Sequence, residues 1–176
     1  MRIVSGIHRR RQLASPDHDG IRPTSDRVRE SVFNSLGSLG LVDDIRVLDL
    51  FAGTGALGLE ALSRGADHVT FVERDRDALE SLRENIEILE EGDRSTVIAG
   101  NAETFVATTT DWFEVGLVDP PYAYAGWVDL LERVPADVLV IESDREIDVP
   151  AAWESLRVKH YAGTVVGIVR RAAPAA

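Results

Sequence analysis

A short apolar run, Ile45-Arg46-Val47-Leu48-Asp49-Leu50, is followed closely by Gly53-Thr54-Gly55-Ala56-Leu57-Gly58, and a helical pattern begins inside that loop. This G-x-G-x-x-G spacing turns a strand into a helix within a few residues. It also lets backbone approach a ligand at the helix N-terminus. Further apolar runs at 68–73, 96–99, 115–118 and 138–141 alternate with helical patterns at 56–63, 75–89, 102–108 and 127–133. Unbroken apolar runs suit strands buried on both faces. The alternation predicts an α/β fold, Rossmann-like, with a mostly parallel sheet and helices on both sides. In the second helix, Ala78, Leu82, Ile86 and Leu89 make one apolar stripe, and Asp75 is placed to cap its start.

The two ends depart from this alternation. Residues 156–161 and 164–170 are strand-like around Gly163, which predicts a closing antiparallel hairpin. Residues 2–13 predict a small β-hairpin turning near Ser5-Gly6. Thr24 or Ser25 can cap a helix running to about Leu36, with Val28, Val32, Phe33 and Leu36 as its buried stripe. The expected organisation is a basic hairpin extension over 1–22 and a single globular domain over 23–176.

The net charge of −11 argues at first against a nucleic-acid partner. Its distribution reverses that argument. Residues 1–30 carry seven arginines against four acids, and the remainder carries a net −14. The basic end can meet phosphate while the acidic body stays solvated, although a plain solvated arginine-rich tail would look the same. There is no cysteine, which excludes disulfides and thiolate metal sites. The four histidines show no ligand spacing, so no metal is expected. No apolar run reaches the roughly 20 residues of a membrane span, and no secretory signal is evident. A cytoplasmic monomer with no membrane partner is expected. Lys159 is the only lysine, which is ascribed to composition rather than to function.

The glycine loop alone fits NAD as well as S-adenosylmethionine. Glu73 lies 20 residues after Gly53, where its carboxylate can accept two ribose hydroxyls, with Arg74 beside it. Two features tilt the choice toward S-adenosylmethionine, and the first is Asp49. In Asp49-x-Phe51-x-Gly53-x-Gly55 a carboxylate faces the loop. It suits the cationic amino-acid end of S-adenosylmethionine and would repel a pyrophosphate. Asn101-Ala102 follows the third strand. There an amide oxygen and a backbone N–H can read an adenine edge, or Asn101 can simply cap a helix.

Asp119-Pro120-Pro121-Tyr122 follows the fourth strand, at the sheet edge where open α/β folds bind ligands. An amine on an aromatic ring is a poor nucleophile because its lone pair is delocalised. Two acceptors holding its two N–H bonds turn that lone pair out of the ring plane. The Asp119 carboxylate and the Pro120 carbonyl can supply them, in a turn fixed by the prolines. Tyr122 can stack on the base. The pattern points to methyl transfer onto a planar amine, by alignment and electrostatic fit rather than through a covalent intermediate. Residues 123–126 are a candidate lid.

Arg9-Arg10-Arg11, Arg22, Arg27 and Arg29 are candidate phosphate contacts. Arg27 and Arg29 lie two apart on a helix and so point to different sides. One faces substrate or cofactor and the other pairs with Asp26 or Glu30.

Taken together, the chain resembles the RsmD family, bacterial methyltransferases acting on N2 of one guanine in 16S ribosomal RNA. The resemblance is carried by Arg2-Ile3-Val4-Ser5-Gly6, by Arg22-Pro23-Thr24-Ser25-Asp26-Arg27-Val28-Arg29-Glu30, by the stretch from Leu48 to Ala66, and by the Asp119 tetrad. It implies a class I methyltransferase fold over 23–176, S-adenosylmethionine as donor, and the small ribosomal subunit as partner. It also implies cofactor contact by Asp49, Gly53 and Glu73, and guanine handling by Asp119 and Tyr122. Two departures stand out. The family pattern Arg-Gly-Arg is Arg9-Arg10-Arg11 here, and Asn101 stands where many class I enzymes carry aspartate. The competing readings are a DNA adenine-N6 methyltransferase, a non-catalytic RNA-binding or assembly factor, and an NAD-dependent enzyme. The first is disfavoured because the chain leaves little room for a target-recognition region. The intact tetrad argues against the second, and Asp49 against the third.

Overall fold

Strands without polar alternation need cover on both faces, and the two helical layers provide it. The structure, a computed structural model, describes residues 1–15 and 25–173. Arg22, Thr24, the 16–20 loop and the end of the 1–22 extension lie outside them. In chain order the elements are α1 (Asp26–Ser38), β1 (Arg46–Leu50), α2 (Ala56–Arg64), β2 (His68–Glu73), α3 (Arg76–Leu89) and β3 (Ser95–Ala99). They continue with α4 (Ala102–Thr108), β4 (Phe113–Val118), α5 (Trp127–Arg133), β5 (Ala136–Ser143), β6 (Trp153–Tyr161) and β7 (Thr164–Arg171). The sheet order is β3-β2-β1-β4-β5-β7-β6, with the first five strands parallel and β7 antiparallel to both neighbours. The order reverses direction between β1 and β4, which opens a crevice at their carboxyl ends.

Alternate residues of each strand feed opposite layers. Val47, Val69, Phe71, Val115 and Leu117 pack against α1, α2 and α3. Leu48, Leu50, Val72, Val118 and Leu139 pack against α4 and α5. The α1 cap is Ser25, whose Oγ accepts from Val28 N–H at 3.3 Å. Asp75 caps α3 by accepting from Ala78 N–H at 2.9 Å. β6 begins earlier than its apolar pattern suggests, because Trp153 is buried and its indole donates to the Leu131 carbonyl at 2.8 Å. Among the described residues, no helix is long and apolar enough to cross a membrane.

The N-terminal segment closes through one antiparallel bridge, Arg2 to Gln12, rather than a long ladder. Ile3 and Leu13 enter the same core as α1 and α2. Arg10 adopts a φ of 72°. It therefore keeps the left-handed backbone suited to glycine at the place where the family pattern has one, at a cost of about 1–2 kcal/mol.

A wholly buried carboxylate, Glu60 of α2, locks this segment down. It accepts from Val4 N–H at 2.7 Å and Ser5 N–H at 3.0 Å. It also accepts from Arg64 Nε at 2.7 Å and lies 3.5 Å from Arg29 Nε. Arg29 is equally buried and donates to the Arg2 carbonyl at 2.6 Å and to Asp26 at 2.8 Å. Removing one partner of a buried charge pair leaves the other charge uncompensated. Glu60→Ala should therefore lower unfolding free energy by about 3–5 kcal/mol in urea titration. A loss below about 1 kcal/mol would show the network to be dispensable.

Candidate active site

The crevice between β1 and β4 is the mouth of an open cleft of about 1310 Å³. That exceeds the roughly 300–1,000 Å³ of a single-ligand pocket and leaves room for a cofactor and a second group. Asp49, Phe51, Gly53, Glu73, Arg74, Asn101, Ala102, Asp119, Pro120, Pro121, Tyr122 and Arg27 all line it.

Glu73, at the end of β2, organises the loop. Its Oε2 accepts from Gly53 N–H at 2.7 Å, and its Oε1 accepts from Arg74 and Asp75 N–H at 2.7 and 2.8 Å. Gly53 has a φ of 55°, and a side chain there would point into open space. The cleft therefore reaches the loop's backbone directly. Asp49 is 1% exposed and accepts from Gly58 N–H at 2.9 Å. Gly58 cannot carry a side chain, since a Cβ would lie 2.3 Å from Phe71 and 2.9 Å from the Asp49 carboxylate. Burial pushes the Asp49 carboxyl up to about 7, opposed by the Gly58 hydrogen bond and reinforced by the nearby Glu73 charge. Carboxylates gathered around bare loop backbone fit a cationic ligand and disfavour pyrophosphate.

Asp119 and Pro120 follow β4 directly, across from Asp49 on the adjacent β1. Tyr122 is held by its hydroxyl, which donates to the Gly163 carbonyl at 3.2 Å and lies 3.2 Å from Thr164 Oγ1. Its exposed ring lines the cleft. Residues 123–126 are stitched down rather than free. Tyr124 N–H donates to the Pro121 carbonyl at 2.8 Å, and its ring meets Phe51 and Trp127 edge-on at 5.2 and 5.4 Å.

Two expected site residues are displaced from the roles given to them. Gly55 does not line the cleft. Its N–H donates to the Ala52 carbonyl, and a Cβ there would strike Leu82 of α3 at 2.4 Å, so it serves packing. Arg29 is buried and cannot reach nucleic acid, because the Asp26 and Glu60 carboxylates hold it inside. Asn101 lines the cleft, and its amide oxygen also caps α4, accepting from Thr104 N–H at 3.0 Å. Arg9, Arg10 and Arg11 are exposed and stand apart from the cleft, with Arg11 donating to the Ile88 carbonyl at 2.6 Å.

Two features of the site escaped the sequence. The β6–β7 turn brings His160, Tyr161, Ala162 and Thr164 to the cleft wall. Asn85 of α3, wholly buried, exchanges hydrogen bonds with Ala14 at 2.6 and 3.0 Å and donates to the Thr54 carbonyl at 3.0 Å. It ties the N-terminal segment to the glycine loop. The one signal was an amide beside the apolar stripe of α3.

The fold and the site define a class I S-adenosylmethionine-dependent methyltransferase. A family model described as conserved hypothetical protein 95 matches residues 1–170. The ribosomal RNA small subunit methyltransferase D of Escherichia coli K12 is 40% identical over 175 residues, covering 94% of this chain and 86% of that one. The protein of the same description from Haemophilus influenzae is 32% identical over 175 residues, with 90% and 88% covered. A solved Escherichia coli structure, described as a candidate methyltransferase, superposes with a TM-score of 0.87 at 37% identity, covering 98% of each chain. A Thermus thermophilus structure of unassigned role superposes at 0.82 with 29% identity, covering 97% and 99%. The chain belongs to the RsmD family of ribosomal RNA small-subunit methyltransferases.

The Asp49 shift has a testable sign. An acid whose folded pKa is raised from 3.8 to about 7 keeps a proton in the fold that the unfolded chain has released. The ligand-free protein therefore loses stability as pH rises through that window. A cationic ligand opposes this by favouring the carboxylate. S-adenosylmethionine affinity, measured by calorimetry, should rise roughly tenfold from pH 6 to pH 8, and Asp49→Asn should flatten the profile. A pH-independent wild-type affinity would remove Asp49 from cofactor binding.

Proposed function

We propose that the protein transfers a methyl group from S-adenosylmethionine to the exocyclic N2 amine of a guanine in 16S ribosomal RNA of the small subunit. The observation that carries this reading is the shared cleft: the Asp119 tetrad opens onto the same space as Asp49, Gly53 and Glu73. The names of the relatives support ribosomal RNA as substrate. When bound, S-adenosylmethionine supplies an electrophilic methyl group on a sulfonium sulfur. Asp49, Phe51, Gly53, Glu73, Arg74, Asn101 and Ala102 form the half of the cleft that holds the cofactor. The Asp119 carboxylate and the Pro120 carbonyl accept the two N–H bonds of the guanine amine, which turns its lone pair toward the methyl group. Tyr122, fixed by its hydroxyl, stacks on the base and sets its plane. After transfer the Asp119 carboxylate or water takes the acidic ammonium proton.

In this reading the extension over 1–22 contacts RNA through Arg9, Arg10, Arg11 and Arg22, with Arg27 at the cleft mouth. The enzyme works as a cytoplasmic monomer and needs no metal ion.

The test is incubation with methyl-labelled S-adenosylmethionine and, separately, small subunits, naked 16S RNA and duplex DNA. Label should enter small-subunit RNA and digest to N2-methylguanosine. Asp119→Ala should lower turnover by about 10²–10³-fold while cofactor affinity stays within about twofold. Methylation of DNA adenine instead, or near-normal turnover in the variant, would overturn the assignment.

A further inference from the structure

α1 and β6 meet along a line of cations and hydroxyls that the reaction does not use. Lys159 Nζ donates to Ser31 Oγ at 2.9 Å and to Ser35 Oγ at 3.2 Å. Arg157 Nη1 donates to Ser35 Oγ at 3.0 Å. Tyr161 Oη donates to Ser31 Oγ at 2.5 Å. Hydroxyls are weak company for two full positive charges. Among the described residues, no carboxylate pairs with either cation, in a chain of net charge −11. The twelve basic residues of 31–176 would not be short of acids to meet if charge pairing alone governed their surroundings.

The spacing gives the cluster a direction. Residues 157, 159 and 161 alternate onto one face of β6, in register with Ile168, Val166 and Thr164 of β7. Each step along that face is about 6.6 Å. On α1, Arg27, Ser31 and Ser35 follow at intervals of four and share one helix face, each step about 6 Å. Arg27 and Tyr161 both line the cleft that holds Asp119 and Tyr122. Tyr161 also lines the small groove formed by Ser31, Ser35, Arg157 and Lys159. Tyr161 therefore joins the groove to the cleft, and the row leads outward from it.

We propose that Arg27, Lys159 and Arg157 form a phosphate track that seats the RNA backbone flanking the target guanine. The inference rests on the RNA reading above and adds a second anchoring surface to the N-terminal arginines. Phosphate oxygens replace the serine hydroxyls as partners of Lys159 and Arg157, while the serines hold both side chains extended before RNA arrives. Contacts of this kind set register and orientation without reading sequence. The single lysine of the chain acquires a role here.

The test compares wild type with the double variant Arg157→Gln, Lys159→Gln in binding to naked 16S RNA across a salt series. Loss of two single-strand phosphate contacts should reduce the slope of log affinity against log salt by about 1.4. Affinity at low salt should fall about tenfold, while calorimetric affinity for S-adenosylmethionine stays at the wild-type value and reports an intact fold. Ser31→Asp supplies a carboxylate beside Lys159 without removing a cation, and should weaken RNA binding in the same direction. Wild-type slope and affinity in both variants would overturn the track and leave the RNA reading standing. A wild-type protein that binds neither naked 16S RNA nor small subunits at any salt would overturn both.

Discussion

The Glu60 carboxylate is the fastening on which the molecule's working shape depends. It has no solvent and satisfies itself on the backbone of Val4 and Ser5 and on the guanidinium groups of Arg29 and Arg64. Those partners come from the N-terminal segment, α1 and α2. One buried group thus joins the basic end of the chain to the helix that grows from the glycine loop. Burying a charge is costly unless it is paired and hydrogen-bonded, and here every element that pairs it is also being positioned. Asn85 repeats the connection from α3, holding Ala14 against Thr54. Together with the apolar stripe of α1 in the core, the Glu60–Arg29 contact sets the distance of α1, and of Arg27 and Ser31 on it, from the cleft.

At the cleft itself carboxylates do double work. Glu73 orders the loop by accepting Gly53 N–H and simultaneously turns the chain into α3 by accepting two further backbone N–H groups. Asp49 ties β1 to the start of α2 through Gly58. Both interactions build the loop while gathering acidic groups at the cleft. The reversal of strand order then sets β4 beside β1, so Asp119 arrives next to those groups without a long loop to place it.

Much of this was legible in the sequence because it follows from local rules. The apolar runs marked the five parallel strands, Asp75 announced the start of α3, and the glycine spacing located the turn after β1. The tetrad named a chemistry because few other purposes call for an acid, two prolines and an aromatic at a strand end. What stayed hidden depends on distant partners. Arg27 and Arg29 look alike in the chain, yet one is exposed at the cleft and the other is buried between Asp26 and Glu60. Gly55 fits the ligand-loop spacing, but its constraint comes from Leu82 on α3. The β6–β7 turn reaches the cleft only because β7 inserts between β5 and β6, and no periodicity within either strand reveals that pairing. Lys159 has no motif at all and gains meaning only opposite Ser31 and Ser35.

The central claim is that Asp119 presents one guanine amine of small-subunit RNA to a methyl donor. The most direct measurement is mass-spectrometric mapping of 16S RNA from a bacterium deleted for its own family member and supplied with this protein. A single N2-methylguanosine should reappear with the wild-type chain and stay absent with Asp119→Ala. Restoration by the variant, or a methyl group on any other base, would contradict it.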